Sequence, residues 1–148
     1  MGALDRAARS RSQLEAILER RGVPADAAAA VLDRFEEVGL VDDAALAGAL
    51  VRTRHQERGL VGPALARELE RKGIAREVAL DAMAQVTEED QAAAAERVAR
   101  KRLAATAGLP REVRFRRAAA ALARKGFPPG TAYGTVKRLL DAEPEEAP

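Results

Sequence analysis

Cationic side chains concentrate in two stretches of the sequence that hold few acidic residues, residues 97–102 and 111–117. Arginine outnumbers lysine in both, and its planar guanidinium group forms paired hydrogen bonds with phosphate or carboxylate oxygens. The stretches could therefore bind nucleic-acid phosphates or acidic protein loops. The alternative is that they are solvated faces of amphipathic helices, which usually carry charge. The net charge of +2 does not distinguish a binding surface from a solvated face, because binding depends on a local patch of charge.

Helical periodicity separates most of these cations from an apolar face. Arg100 and Lys101 fall opposite the apolar side that carries Leu103. Arg102, in contrast, falls near the apolar side. Its long side chain either extends past the apolar residues to water or breaks the pattern. The predicted basic face consists of Arg67, Arg71, Lys72, Arg97, Arg100, Lys101, Arg114, Arg117, Arg124 and Lys125.

Residue patterns typical of catalysis are missing from the sequence. His55 is the single histidine, and no partner with metal-ligand or dyad spacing lies near it. Three adjacent acidic pairs could chelate Mg²⁺, but their positions at predicted helix ends are explained more simply by capping and by the helix dipole. No phosphate-binding loop or nucleophile motif is present. We therefore predict a binding protein rather than an enzyme, with no catalytic residue, no cofactor and no metal.

The composition indicates the cellular compartment in which the protein is expected. There is no cysteine, so neither a disulfide framework nor a thiolate zinc site is possible. No apolar run approaches the roughly 20 residues of a membrane span, and the N-terminus lacks a signal-peptide pattern. We expect a cytoplasmic protein that does not contact a membrane.

Three internal repeats organise the chain, at residues 14–23, 65–74 and 118–127. Each holds a leucine, then a basic pair, a glycine and an apolar residue. Cations in the last turn followed by glycine are typical of a helix C-terminus, where glycine adopts the left-handed conformation. The pattern predicts that Gly22, Gly73 and Gly126 each end a helix, and that a second helix follows each of them.

Eight helices are predicted, grouped as three, three and two. Ser12 with Glu15 predicts a first helix beginning near Gln13, and Thr87 with Asp90 predicts a capping box for the sixth. The predicted repeats span residues 1–57, 58–108 and 109–142, and the tail 143–148 is predicted to be disordered. The N-terminus is expected to be short, as if the first repeat lacked a leading helix.

The apolar positions predict a thin core, because alanine is abundant and aromatic residues make up only 3% of the chain. Val31 and Phe35 share the predicted inner face of the second helix, and Phe115 and Phe127 are also predicted to be core. Tyr133 is the one aromatic residue expected at the surface, so base stacking is not expected to drive nucleic-acid binding.

The order of several short motifs carries more information than any one of them. They are Val38-Gly39-Leu40-Val41-Asp42-Asp43, Arg52-Thr53-Arg54-His55, Arg58-Gly59-Leu60-Val61-Gly62-Pro63, Leu65, Glu68-Leu69, Lys72-Gly73-Ile74 and Ala99-Arg100-Lys101-Arg102-Leu103. In order and spacing they resemble the RecX family of recombination regulators. The resemblance is strongest over residues 39–74 and extends, more weakly, over residues 14–140.

The resemblance implies an all-α fold of tandem three-helix repeats forming an elongated, curved array. It also implies a role in DNA repair, homologous recombination and the SOS response. RecX-like proteins bind the filament of the RecA recombinase on single-stranded DNA and lodge in its groove. They limit filament growth, ATP hydrolysis, strand exchange and cleavage of the SOS repressor. The expected partners are RecA and single-stranded DNA, bound directly or through RecA, and the expected state is a monomer.

A second hypothesis is a sequence-independent DNA-binding helical module that acts without a recombinase, since paired helices joined by a glycine turn resemble helix-turn-helix elements. It predicts affinity for DNA alone with a steep salt dependence. An enzyme is the least favoured of the three classes.

Overall fold

The computed structural model describes residues 8–144, and in this range the chain forms eight α-helices and no strand. The all-α prediction is confirmed. The expectation of a short N-terminus without a leading helix concerns residues 1–7, which lie outside the described range, as do residues 145–148 of the predicted tail. The helices are α1 (Arg11–Arg20), α2 (Ala25–Glu37), α3 (Asp43–Arg58), α4 (Gly62–Arg71), α5 (Arg76–Met83), α6 (Glu88–Ala105), α7 (Arg111–Arg124) and α8 (Pro129–Asp141).

The three repeated glycines end α1, α4 and α7 as the sequence predicts. Their φ angles are +80° at Gly22, +76° at Gly73 and +103° at Gly126, in the left-handed region that glycine enters without steric cost. In each repeat the N–H of the next residue donates to the carbonyl of the repeat leucine, over 3.0–3.1 Å. This bond satisfies a carbonyl that a helix end would otherwise leave open. The same local motif therefore ends a helix at three places in the chain.

Side-chain caps fix where two of the predicted helices begin. Thr87 Oγ1 accepts from the N–H of Asp90, and Asp90 Oδ2 accepts from the N–H of Thr87, both at 3.0 Å. This capping box confirms the predicted start of α6. The prediction for α1 is wrong: its capping box pairs Ser10 with Gln13, and the helix begins at Arg11. Ser12 is exposed, whereas the buried Ser10 accepts from the N–H of Gln13 at 3.1 Å.

Replacing Ser10 with alanine should therefore destabilise the protein more than replacing Ser12. Ser10→Ala removes an N-cap, and we expect a loss of about 1 kcal/mol from the free energy of unfolding. Ser12→Ala removes no cap, and we expect a change within about 0.5 kcal/mol. Urea unfolding followed by circular dichroism measures both. Equal effects of the two substitutions would contradict the observed cap.

The described residues form two compact units, and the first consists of residues 8–52 and 66–85. Its buried apolar residues are Ala28, Leu32, Val41, Ala47, Val51, Leu69, Ile74, Ala79 and Ala82. Val31 and Phe35, predicted as core, are 42% and 37% exposed. The apolar stripe of α2 is wider than the part that packing covers, so periodicity identified the stripe correctly but not its covered width.

The second unit consists of residues 53–65 and 86–144. Here α6, α7 and α8 pack against one another in all three pairs. The core they enclose is rich in alanine, and its larger members are Val61, Leu103, Leu122, Phe127, Val136, Leu139 and Leu140. Phe127 is buried and Phe115 packs partly buried against this core, as predicted. Tyr133, the predicted surface aromatic, is 56% exposed.

Two glycine-containing turns lie against each other within the second unit. The N–H of Val61 donates to the carbonyl of Lys125 at 2.9 Å, which joins the turn before α4 to the turn after α7. A Cβ atom on Gly126 would collide with the backbone carbonyl of Val61, and one on Gly62 would lie 3.2 Å from the carbonyl oxygen of Gly126. Gly126 thus requires glycine for space as well as for backbone angle, whereas an added Cβ at Gly62 would make a tight contact but not a collision.

None of the helices in residues 8–144 has the length and apolarity that crossing a membrane requires.

Candidate basic grooves

A cleft of about 550 Å³ in the second unit is lined mainly by cations, and we call it the first basic groove. It is formed by the C-terminal end of α3, one side of α6 and Lys125 after α7. Arg97, Lys101 and Ala105 repeat every fourth residue along α6 and therefore lie on the same side of the helix. The lining residues are Gln56, Glu57, Arg58, Gly59, Arg97, Val98, Lys101, Arg102, Ala105 and Lys125.

Positive charge in the first basic groove exceeds negative charge by a wide margin. Glu57 is the one acidic residue of its lining, against five cations. Burial lowers the pKa of Lys125, and the nearby charges of Arg58, Arg102 and Lys101 lower it further. A lysine whose charged form is disfavoured by burial and by like charges gains stability when an anion comes close. The groove is therefore suited to phosphate or carboxylate groups.

A second cleft of about 520 Å³ adjoins the first, because Arg102 and Ala105 line both. We call it the second basic groove. No acidic residue lines it, and Thr106 directs its hydroxyl to the carbonyl of Arg102 at 3.0 Å, which fixes the end of α6 locally. The lining residues are Arg102, Ala105, Thr106, Arg116, Arg117, Ala120 and Arg124.

Half of the predicted basic face lines these grooves. Arg97, Lys101 and Lys125 lie in the first groove. Arg117 and Arg124 lie in the second.

Three groove residues, Arg58, Arg102 and Arg116, were not in the predicted set. Arg102 lies at the margin of the apolar stripe of α6, and its side chain is exposed and lines both grooves. The position of Arg102 near the apolar side, where a cation is unexpected, was the sequence feature that could have identified it as a groove residue.

Arg100 and Arg114 are engaged elsewhere in the second unit. Arg100 is bound to Glu96 across one turn of α6, at 2.6 Å, and this pairing lowers the pKa of Glu96. The side chain of Arg114 is only 14% exposed: it contacts both carboxylate oxygens of Glu143, at 2.7 and 2.8 Å, and donates to the carbonyl of Leu103. Arg114, predicted at the flank of the basic face, thus faces the protein and binds Glu143 of the predicted tail.

The other three predicted cations belong to the first unit. Arg67 and Arg71 are exposed on α4, and Lys72 is half-buried just after it. The exposed guanidinium of Arg71 lies 3.6 Å from the carboxylate of Glu68, whose side chain is only 15% exposed.

His55 is bound to the backbone of its own unit, where Nδ1 donates to the carbonyl oxygen of Leu60 at 3.1 Å. Among residues 8–144, no group of three or more His, Cys, Asp or Glu side chains is placed to hold a metal ion.

The structure defines an all-helical protein with a three-helix bundle in its second unit, and comparison with known families divides the chain into tandem three-helix domains. Family models described as the first, second and third three-helix domains of RecX match residues 1–35, 42–83 and 88–134. The chain belongs to the RecX family, which confirms the resemblance stated from the sequence.

Curated relatives support the assignment over most of the chain. "Regulatory protein RecX" of Thermobifida fusca is 46% identical over 140 residues, which is 95% of this chain and 76% of the relative. The protein of the same name from Streptomyces coelicolor is 48% identical over 139 residues, 93% of this chain and 73% of the relative.

Two solved structures share the fold. The crystal structure of RecX from Lactobacillus salivarius matches with a TM-score of 0.81 at 20% identity, over 89% of this chain and 86% of that one. A crystal structure of regulatory protein RecX matches with a TM-score of 0.76 at 27% identity, over 88% and 64% of the two chains.

In the ranges of the family models, each three-helix domain begins with a long helix, as in α3–α5 and α6–α8. In the repeats predicted from the sequence, the long helix comes last in each of the first two repeats. The repeat boundaries at residues 57 and 108 and the curvature of the array stay predictions.

Proposed function

We propose that this protein inhibits the RecA recombinase by binding in the groove of the RecA filament on single-stranded DNA. Binding there limits filament growth, ATP hydrolysis, strand exchange and SOS repressor cleavage. The observation that supports this proposal is a pair of adjoining basic grooves in a chain of the RecX family. The protein acts in the cytoplasm as a monomer, without a cofactor and without catalysing a reaction.

The grooves suggest how the filament is held. Arg58, Arg97, Lys101, Arg102 and Lys125 meet anionic groups in the first groove, and Arg116, Arg117 and Arg124 meet them in the second. The anions are DNA phosphates or acidic loops of the recombinase. Arg67, Arg71, Lys72 and Arg100 are further cations for contacts with the same kind of partner. Tandem domains suit this task, because several weak contacts on one chain combine into firm binding along a repeating target.

A second candidate function is sequence-independent DNA binding that needs no recombinase. The absence of acidic residues from the lining of the second groove favours it, since no carboxylate of that lining competes with phosphate. Such binding would weaken steeply as salt rises.

Titrating this protein into RecA hydrolysing ATP on single-stranded DNA tests the proposal. We expect inhibition at less than one protein per RecA, because a ligand in the filament groove restrains several subunits. DNA binding measured without RecA is the companion experiment. Unchanged ATP hydrolysis together with tight, salt-sensitive DNA binding would reject the recombinase role and leave the DNA-binding module.

A further inference from the structure

An exposed aromatic ring lies beside the second basic groove. Tyr133 on α8 stacks on Phe115 of α7, with ring centroids 5.8 Å apart and an angle of 24° between the planes. Phe115 is partly buried against the core of the second unit, and Tyr133 is 56% exposed. Because Phe115 supports one face of the Tyr133 ring, the tyrosine is held in place with much of its surface open to solvent.

The stacked pair lines a cleft of about 430 Å³ between α7 and α8, which we call the aromatic groove. Its walls are largely apolar, formed by the two rings, Pro129 and alanines such as Ala120. Its volume exceeds that of any nucleobase. Glu112 is the single acidic residue of the lining, and a carboxylate can accept hydrogen bonds from the N–H groups of a base edge.

The aromatic groove is continuous with the second basic groove. Arg116 and Ala120 line both clefts. An apolar, aromatic surface and a row of arginines therefore meet on the outer side of α7. Proteins that bind single strands combine these two elements, since cations follow the backbone phosphates while aromatic rings stack on the bases.

We propose that the aromatic groove binds a nucleobase of single-stranded DNA, stacked on Tyr133, while the adjoining phosphates contact Arg116, Arg117 and Arg124. A single strand fits this site better than a duplex, because bases in a duplex already stack on their neighbours. A strand also fits better than an apolar peptide, because the continuous row of arginines complements a repeating negative charge. This inference deepens the proposed function and rests on its DNA contact, but it concerns DNA bound without RecA.

The sequence predicts no base stacking, because aromatic residues are scarce and are not interleaved with the cations. The packing of α7 on α8 brings together Phe115 and Tyr133, which lie apart in the sequence. One supported ring beside several arginines is enough for a stacking site.

Intrinsic fluorescence tests the proposal directly, because Tyr133 is the only tyrosine and the chain has no tryptophan. We expect an oligo-dT strand to quench the Tyr133 emission. We also expect it to bind more tightly than an abasic strand of equal length, which carries the same phosphates, by roughly five- to 100-fold. Tyr133→Leu, which still packs on Phe115, should lose this preference for bases, and Tyr133→Phe should keep it.

Equal affinity for the oligo-dT and abasic strands would overturn the proposal, as would an unchanged base preference in Tyr133→Leu. Circular dichroism establishes that each variant is folded. If Tyr133→Leu binds both strands normally but no longer inhibits RecA, the groove binds a protein side chain instead, and the stacking proposal fails. If the base preference is absent while the unaltered protein still inhibits RecA, only the stacking proposal falls and the proposed function stands.

Discussion

Replacing Gly126 with alanine is expected to lower the free energy of unfolding by roughly 3–5 kcal/mol, through backbone strain and overpacking together. Gly126 has a φ of +103°, which alanine adopts only with strain. Its new methyl group would also collide with the carbonyl of Val61, which is backbone and cannot rotate away. The shift that relieves this collision breaks the hydrogen bond from Val61 to Lys125 and so separates the two turns. Urea unfolding, monitored at the helical circular dichroism band, measures the loss.

Gly108 provides the matched control. Its φ is +88°, but no atom lies within 4 Å of the position that a Cβ would occupy. Gly108→Ala should therefore carry only the backbone strain, about 1–2 kcal/mol. Equal losses for Gly108→Ala and Gly126→Ala would mean that the contact between the turns adds nothing to stability.

Reversing two charges where the basic grooves meet should have the largest functional effect. The double variant Lys101→Glu/Arg102→Glu introduces two carboxylates next to Lys125 and Arg58 and places one in the second groove as well. We expect the affinity for single-stranded DNA and the inhibition of RecA to fall by on the order of 100-fold at low salt. The difference from the unaltered protein should narrow as salt screens the charges. Fluorescence anisotropy across a salt series measures the first effect, and RecA ATP hydrolysis measures the second.

Arg20→Glu/Arg21→Glu makes the same change in total charge at the exposed end of α1. If both double variants lose binding equally, net charge governs binding and the grooves have no special part in it. If only the groove variant loses it, with both proteins folded, the binding surface lies on α6 and its neighbours.

The helices and their ends could be predicted because their causes are local. The cap at Gly73 needs only a leucine, a basic pair and an apolar residue within ten positions, and its hydrogen bonds stay within that segment. The start of α1 was misplaced for an equally local reason: Ser10 and Ser12 each have a partner three residues on, Gln13 and Glu15. Burial of Ser10 selects the first pair, and burial depends on the fold.

The grooves could be predicted only in part, because they depend on contacts between distant segments. Periodicity places Arg97 and Lys101 on the outer side of α6. It carries no information on Arg58, which α3 brings to the same cleft. Nor does it show that Glu143 binds Arg114 and turns that side chain to the protein. The prediction for Phe35 is wrong in the opposite direction, because this residue of the apolar stripe was expected in the core but is only partly covered.

The alanine-rich core has a thermodynamic consequence. Ala94, Ala95, Ala99, Ala118, Ala119 and Ala132 take positions in the second unit that leucine or isoleucine would occupy in an ordinary domain. Each contributes little apolar surface to hydration when the chain unfolds, and the heat-capacity increment of unfolding scales with that surface. The increment per residue is therefore smaller than in a leucine-rich domain. The stability curve is accordingly less curved, so the free energy of unfolding falls away more gradually on either side of its maximum.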